Sequence, residues 1–522
     1  MSTSPLQGYD QIVAVSQGQI NMSLDARFTG EVLEWDVKEN GVGHLTGRML
    51  PPTVALFIPG EPAKTRFCLN FESGSFTYYS YTDDDEQVKH VVDVAGWTVA
   101  FTVKLSLDAI QQLPEDVKKK ITLPGSYSVS QLLLDFTTAD LMSFDRSLSF
   151  IPATANSKPL GEDPDRDQAL ANMIDKYLRR KVLGTDHGVL GYYAVTAPTN
   201  PTPSFPPTSV HFQTMAYQPT SPTSFNNDCI LFQEMTGGHK FPDPPYIGWK
   251  QWNWISEKVD DSRHAGCMVL SRENFWNNFF VPHATVLNRL ALDLVKDIGD
   301  VCLGKLKVPI FPTSAVNPAK VPDSALGWTQ VTEKQEKWEW HAKYEPQVPG
   351  EDKVILRDVS ATVDLTLDSA AQKITMSTSC SFSARDLSHI IDDTDHGRER
   401  KMINYMSGDV TWGLELTLDN VADGGLAFRI TTVTPTANAK AGAEVPGLGL
   451  KELPDSQEYT RWLIDAVEKM AGREVPEFKA KADEAFKHQA QFVFPGGGTF
   501  FMKNPSFNAA GDIVVGLQYK QE

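Results

Sequence analysis

Three stretches of this 522-residue chain alternate strictly between apolar and polar side chains, and no other feature limits its fold so tightly. Val99, Phe101, Val103, Leu105 and Leu107 are interleaved with Ala, Thr, Lys and Ser. Val359, Ala361, Val363, Leu365 and Leu367 follow the same rule, as do Val410, Trp412, Leu414, Leu416 and Leu418. A period of two puts all the apolar side chains on one face of a pleated strand. One greasy and one wet face belong to antiparallel sheets rather than to parallel sheets covered on both sides. Something else in the chain must cover the greasy faces.

Segments with a helical period supply that cover. The first is expected over residues 10–26, with Val13, Ile20 and Leu24 on one face. The second follows Pro164 and its flanking acids, which favour a helix start, and ends at Gly184. Its stripe is Leu170, Met173, Ile174, Tyr177, Leu178 and Val182. The third is expected from Thr285 to Gly299 through Leu287, Leu290, Ala291, Leu294 and Ile298. The fourth begins near Pro454 with Tyr459, Trp462, Leu463, Ala466, Val467 and Met470, and another helix follows Pro476. Helix, strands, helix over 10–184 thus recurs as helix, strands, helices, strand over 285–520, which predicts two related halves. The Pro- and Thr-rich run "TAPTNPTPSFPPTS" from Thr196 reads as a linker or surface loop. The expected units are 1–195, a connecting region 196–260 and 261–522.

Both ends of the chain carry recognisable stretches. Tyr9 to Leu24 reads "YDQIVAVSQGQINMSL", and Phe492 to Lys520 reads "FVFPGGGTFFMKNPSFNAAGDIVVGLQYK", a turn, a short strand, a second turn and a closing strand. With "MVLSRENFWNNFFVPH" from Met268 to His283, they resemble the OrfX-type accessory proteins of clostridial neurotoxin clusters, within the tubular lipid-binding (TULIP) superfamily. The resemblance implies an elongated α+β architecture in which curved antiparallel sheets wrap long amphipathic helices around an apolar groove. It also implies non-catalytic binding of a lipid or other hydrophobic molecule, in a carrier or toxin-accessory role. The groove lining expected here is Val99, Phe101, Val103 and Leu105 on the strand, facing Leu170, Ile174, Tyr177 and Leu178 on the helix.

Composition narrows the partners. A net charge of −18 repels nucleic acid and anionic bilayer surfaces, so a lipid would have to enter a pocket. No window has the run of about 18 apolar residues of a spanning helix, and the opening residues lack a basic, then apolar, signal pattern. Five scattered cysteines, Cys68, Cys229, Cys267, Cys302 and Cys380, form neither a disulfide framework nor a zinc cluster, and a cytoplasmic setting is expected.

Motifs for chemistry are poor, so no enzyme, metal or cofactor is expected. "GDVCLGK" from Gly299 matches seven positions of a phosphate loop, but Leu306 replaces the magnesium-binding hydroxyl and the glycines come at a helix end. The acids of "IDDTDHGRER" from Ile391 lack calcium or zinc spacing, and "TDDDE" from Thr82 reads as a charged hairpin tip. "TDHG" occurs at Thr185 and at Thr394, where adjacent Asp and His point apart in a turn. The aromatic run holding Tyr246, Trp249, Trp252 and Trp254 is either an exposed patch for a membrane interface or a protein partner, or the cap of a core. The alternatives to a lipid binder are therefore an interaction module with a filled core and an exposed Trp patch, or an enzyme acting on a hydrophobic substrate.

Overall fold

The computed structural model describes residues 4–110, 115, 127–141, 143–152, 158–196, 205, 207–218, 227–248, 252–258, 261, 263–305, 317–345, 356–392, 398–420, 426–445, 449–452, 460–461, 464–465, 467–469, 472, 476, 492–493 and 500–519. Its strands form three sheets, and every pairing between strands is antiparallel.

The N-terminal sheet runs β2 (Glu34–Glu39), β3 (Gly43–Ala55), β4 (Lys64–Tyr81), β6 (Thr98–Ile110), β7 (Tyr127–Asp135), β8 (Val189–Thr196) and β19 (Phe492–Val493), with β5 (Gln87–Asp93) beside the far half of β4. The C-terminal sheet runs in chain order through β12 (Thr329–Thr332), β13 (Gln335–Tyr344), β14 (Leu356–Asp368), β15 (Lys373–Asp392), β16 (Arg398–Asn420), β17 (Leu426–Val445) and β18 (Gly449–Glu452). The three alternating stretches fall in β6, β14 and β16, as their period requires. The central sheet draws on distant parts of the chain, in the order β20 (Phe500–Phe507), β21 (Ile513–Tyr519), β11 (Gly266–Leu270), β1 (Gln11–Ser16), β10 (Cys229–Thr236) and β9 (Pro207–Met215).

The stretch 196–260 therefore supplies two strands of this sheet. Pro207 opens β9 at the sheet's edge, one of the few strand positions that tolerates a residue without an N–H donor.

Helices are few. Among the described residues three α-helices exceed ten residues: α1 (Gln17–Arg27), α2 (Pro164–Tyr177) and α3 (Thr285–Lys305). The helix expected over 10–26 is corrected here. Its first half is strand β1, and the chain turns helical only where the Ser16 hydroxyl accepts from the Gln19 amide. Ile12 and Ala14 alternate with Val13 and Val15, so the run "QIVAVS" fits a strand with two buried faces as well as it fits a helix. Helix α2 starts as expected, with Asp163 capping, Pro164 in the first turn and Asp165 and Asp167 beside the positive end of the helix. It closes in a π-helical turn, Leu178–Val182, before Gly184 at φ +79°. Helix α3 runs six residues past Gly299, so "GDVCLGK" lies within the helix rather than at the helix end expected. The fourth expected helix lies largely outside the described residues.

Three cores result. One packs α1 and α2 against the N-terminal sheet, and a second packs α3 against the C-terminal sheet. The third lies on the outer face of the central sheet, under Leu6, Tyr9, Trp254 and Ile255. Strand alternation distributes the central sheet among them. Ile12, Ala14, Leu231 and Val269 face the third core, Val15, Ile230 and Phe232 the first, and Met268, Leu270 and Val515 the second. Val13 packs against both large cores, which makes β1 the seam between them.

Candidate functional site

The strand and helix expected to line a groove contribute to one buried cluster, in which α2 lies chiefly against β2, β3 and β4. Val99, Phe101, Val103 and Leu105 on β6, with Leu170, Ile174, Tyr177 and Leu178 from α2 and its π turn, belong to one cluster, none more than 3% exposed. Side chains fill the space beneath the helix. The Tyr177 ring stacks on Trp35 with centroids 3.8 Å apart and planes 10° from parallel, and its hydroxyl donates to the Val32 carbonyl. Burial holds the Tyr177 phenol well above the ordinary range, so it is a neutral donor at any physiological pH.

A hollow of about 280 Å³ opens beside this core, lined by Arg146, Ser149, Phe150, Ile151, Pro159, Leu160 and Glu162. Leu160 is part of the buried cluster and Ile151 packs on it, so the inner wall of the hollow is the N-terminal core itself. The walls are firmly held. Phe150 and Thr98 exchange backbone hydrogen bonds of 2.8 and 2.9 Å, which ties one wall to the start of β6. Arg166, almost fully buried on α2, donates to the carbonyls of Lys158 and Pro159 and fixes the other wall to the helix. Arg146 reaches across to the Gly161 carbonyl at 3.1 Å. The rim thus carries one cation and one anion, Arg146 and Glu162, around an apolar floor.

The aromatic run divides. Trp254 is 4% exposed and part of the third core, so it caps a core and offers no patch. Trp252 is half-buried, edge-on to Trp254 at 4.8 Å and covered by the Arg263 guanidinium. Tyr246, by contrast, is 45% exposed beside His211, with the 38% exposed Phe241 nearby. Trp249 lies outside the described residues. Tryptophan prefers burial wherever a core is within reach, and the β10–β11 connection lies directly over one.

Elsewhere the polar motifs are structural. "TDDDE" is an exposed tip between β4 and β5, with the Thr82 amide bonded to the Glu86 carbonyl. At the first "TDHG", Thr185 caps a 3₁₀ turn, and His187 bonds Thr185 and packs edge-on against Phe28. The second "TDHG" and the acids Asp393 and Asp395 lie outside the described residues. No group of three potential metal ligands occurs among the described residues. His283 Nδ1 donates to the Phe279 carbonyl, 2.7 Å away, as a helix-end residue.

Sequence reasoning passed over two buried polar groups. Asp10 accepts from the amide and hydroxyl of Thr236 and bonds His239 at 2.8 Å, while Asn274 donates to the same Thr236 hydroxyl. Glu234 lies fully buried inside β10, where all eight residues are buried. The signal for it was an acid embedded in the apolar run "CILFQEM".

Among the described residues no helix is long and apolar enough to cross a membrane. No family model and no curated protein matches the chain. Solved structures do. P47 of Clostridium botulinum E1 aligns over 98% of this chain and 100% of its own at 12% identity and a TM-score of 0.47. P47 from Clostridium botulinum A2 covers 98% and 97% at 11% identity and a TM-score of 0.42. A lipopolysaccharide binding protein covers 98% and 99% at 8% identity and a TM-score of 0.32. The chain is thus similar, over nearly all its length, to P47 of Clostridium botulinum and to a lipopolysaccharide binding protein.

Proposed function

We propose that this protein binds a lipid or other hydrophobic molecule without transforming it, the ligand entering at the hollow beside the N-terminal core and parting α2 from the N-terminal sheet. Val99, Phe101, Val103, Leu105, Leu170, Ile174, Tyr177 and Leu178 are the proposed lining. The observation that carries this reading is the 280 Å³ hollow whose inner wall is the N-terminal core. Its volume lies just under the range of about 300–1,000 Å³ for small-molecule pockets, enough for the end of an acyl chain. Each methylene moved from water into such a wall stabilises by about 0.8 kcal/mol, so a chain that slid further between helix and sheet would gain steadily. Its headgroup would stay at the rim, between Arg146 and Glu162. The proposed organisation is two sheet-and-helix halves, 1–195 and 261–522, bridged by 196–260, working as a carrier or accessory protein in a reducing, cytoplasmic setting.

Extraction of the purified protein with organic solvent, followed by mass spectrometry, tests the reading alongside native mass spectrometry of the intact chain. A stoichiometric lipid, lost when Leu160 is replaced by Arg, is the expected result. Lipid-free protein that also takes up no fatty acid or phospholipid from vesicles would sink it. In that case the second reading gains, a protein-interaction module. The tight Trp35–Tyr177 stack and the exposed Tyr246 and Phe241 are the observations that favour it.

A further inference from the structure

The seam between the two large cores carries an acid that packing alone does not account for. Glu234 on β10 stands opposite Gln11 on β1, and neither is exposed to solvent. The Gln11 amide donates to Glu234 Oε2 and, at 3.0 Å, to the Phe205 carbonyl. Gln11 Oε1 has no hydrogen-bond partner among the described residues, and the second carboxyl oxygen, Glu234 Oε1, has only the Tyr193 hydroxyl beside it. A buried acceptor without a donor is costly, and this one stands beside a carboxyl that can carry a proton. One proton on Glu234 Oε1 supplies the missing donor. Directed at Gln11 Oε1 while the amide still serves Oε2, it closes a cyclic pair of carboxylic acid and amide that satisfies both.

The surroundings favour that neutral form. From β8, Tyr193 stands against the carboxyl, its ring stacked on Phe232 at 5.2 Å. Strand β9 places Val210 opposite Glu234, and Phe205 packs edge-on against Phe279 of the π-helical segment Glu273–Phe280. Asp10 and His239 belong to the separate network around Thr236. Among the described residues no cationic side chain bonds the carboxyl. Burial pushes it up to about 8, against the opposing pull of Tyr193 and Gln11.

We propose that the Gln11–Glu234 pair is a pH-operated latch: protonated, it clamps β1 to β10 across the junction of the two cores, and ionised, it releases them there first. Ionisation would leave a charge with no counter-ion in an apolar seam, and separating the strands to admit water is the relief open to it.

Hydrogen exchange read by mass spectrometry at about pH 6 and about pH 9, corrected for intrinsic rates, tests this on the full chain. Residues 11–16 and 229–236 should lose at least about tenfold in protection at the higher pH, tenfold per pH unit being the linkage of one proton. Strands β14 and β15 should not change. Glu234→Gln, which keeps a donor and cannot ionise, should hold the seam at both values. Equal protection of the wild-type seam at both, or the same loss in Glu234→Gln, would overturn the latch. Should Glu234→Gln not fold, infrared difference spectra of the wild type decide. A protonated carboxylic acid must be present at neutral pH and disappear above about pH 8, and its absence refutes the proposal.

Discussion

Tyr177→Ala is the sharpest probe of whether helix and sheet can part around a ligand. Tyr177 is 1% exposed, lies flat on Trp35 and bonds the Val32 carbonyl, so it joins α2 to the segment leading into β2. Truncating a buried aromatic to Ala costs about 3–5 kcal/mol in lost transfer energy and in the cavity left behind. Tyr177→Phe keeps the ring and loses one hydrogen bond, about 1 kcal/mol. For an unfolding unit of 150–250 residues, each kcal/mol moves the midpoint by about 2–4 °C. The Ala variant should therefore melt roughly 6–20 °C lower and the Phe variant a few degrees lower, as read by near-ultraviolet circular dichroism. The ligand reading adds a second expectation. Dodecanoate at a hundred times its dissociation constant should return about 2.7 kcal/mol to Tyr177→Ala by filling the cavity with methylenes. A cost below about 1 kcal/mol would mean that α2 is not seated as described. A full cost with no recovery would mean that this interface excludes acyl chains, and the groove assignment would fail.

Asp163→Ala removes the side chain that caps α2 and should cost about 1 kcal/mol in denaturant midpoint, with an unchanged m-value. Gly47→Ala should prevent stable folding, seen as loss of soluble protein, because a Cβ there would stand 2.2 Å from the Ser73 carbonyl at φ +155°. The thiols of Cys68, Cys267 and Cys380 are pushed up by burial to about 11, 12 and 12, so a colorimetric thiol reagent at pH 8 should leave them unmodified until the protein is denatured. Glu234 titrates near 8 when folded against an ordinary 4.5, so its contribution is whole below about pH 4.5, falls as pH rises and is gone above about 8. At roughly 1.36 kcal/mol per pH unit this amounts to about 5 kcal/mol, and a stability profile of Glu234→Gln without that slope is the check.

Much of the fold was legible because its strands are wet on one face. Val99 to Leu107 or Val359 to Leu367 cannot alternate so strictly and be anything but half-covered antiparallel strands, and they are. The end of the chain was also readable, since the turn from Asn508 to Asp512 separates β20 from β21. The central sheet was not readable. Its strands β1, β10 and β11 are buried on both faces, so "QIVAVS" and "CILFQEMT" show no alternation, and short apolar runs do not separate strand from helix. Its pairing partners also lie far apart in the chain. Gln11 meets Glu234 on one side of β1 and Leu270 on the other, contacts that no local pattern encodes.

The candidate site was legible in its walls and not in its opening. Periodicity puts Val103 and Ile174 on inward faces and both are buried, yet an apolar inward position looks the same whether its neighbour is another side chain or a ligand. What distinguishes the two is shape, here the spacing between the 146–151 and 158–162 segments, and that spacing is fixed by Arg166 and Arg146 bonding backbone carbonyls. Such bonds depend on where the chain happens to pass. The seam follows the same logic with the opposite sign. An acid in an apolar strand was visible in the sequence, but a lone glutamate there reads equally as an edge residue facing water. Only the register that sets Gln11 across from it turns an anomaly into a pair with one proton too few. Both proposed sites therefore lie where local patterns stop, at the rim of one core and at the junction of two.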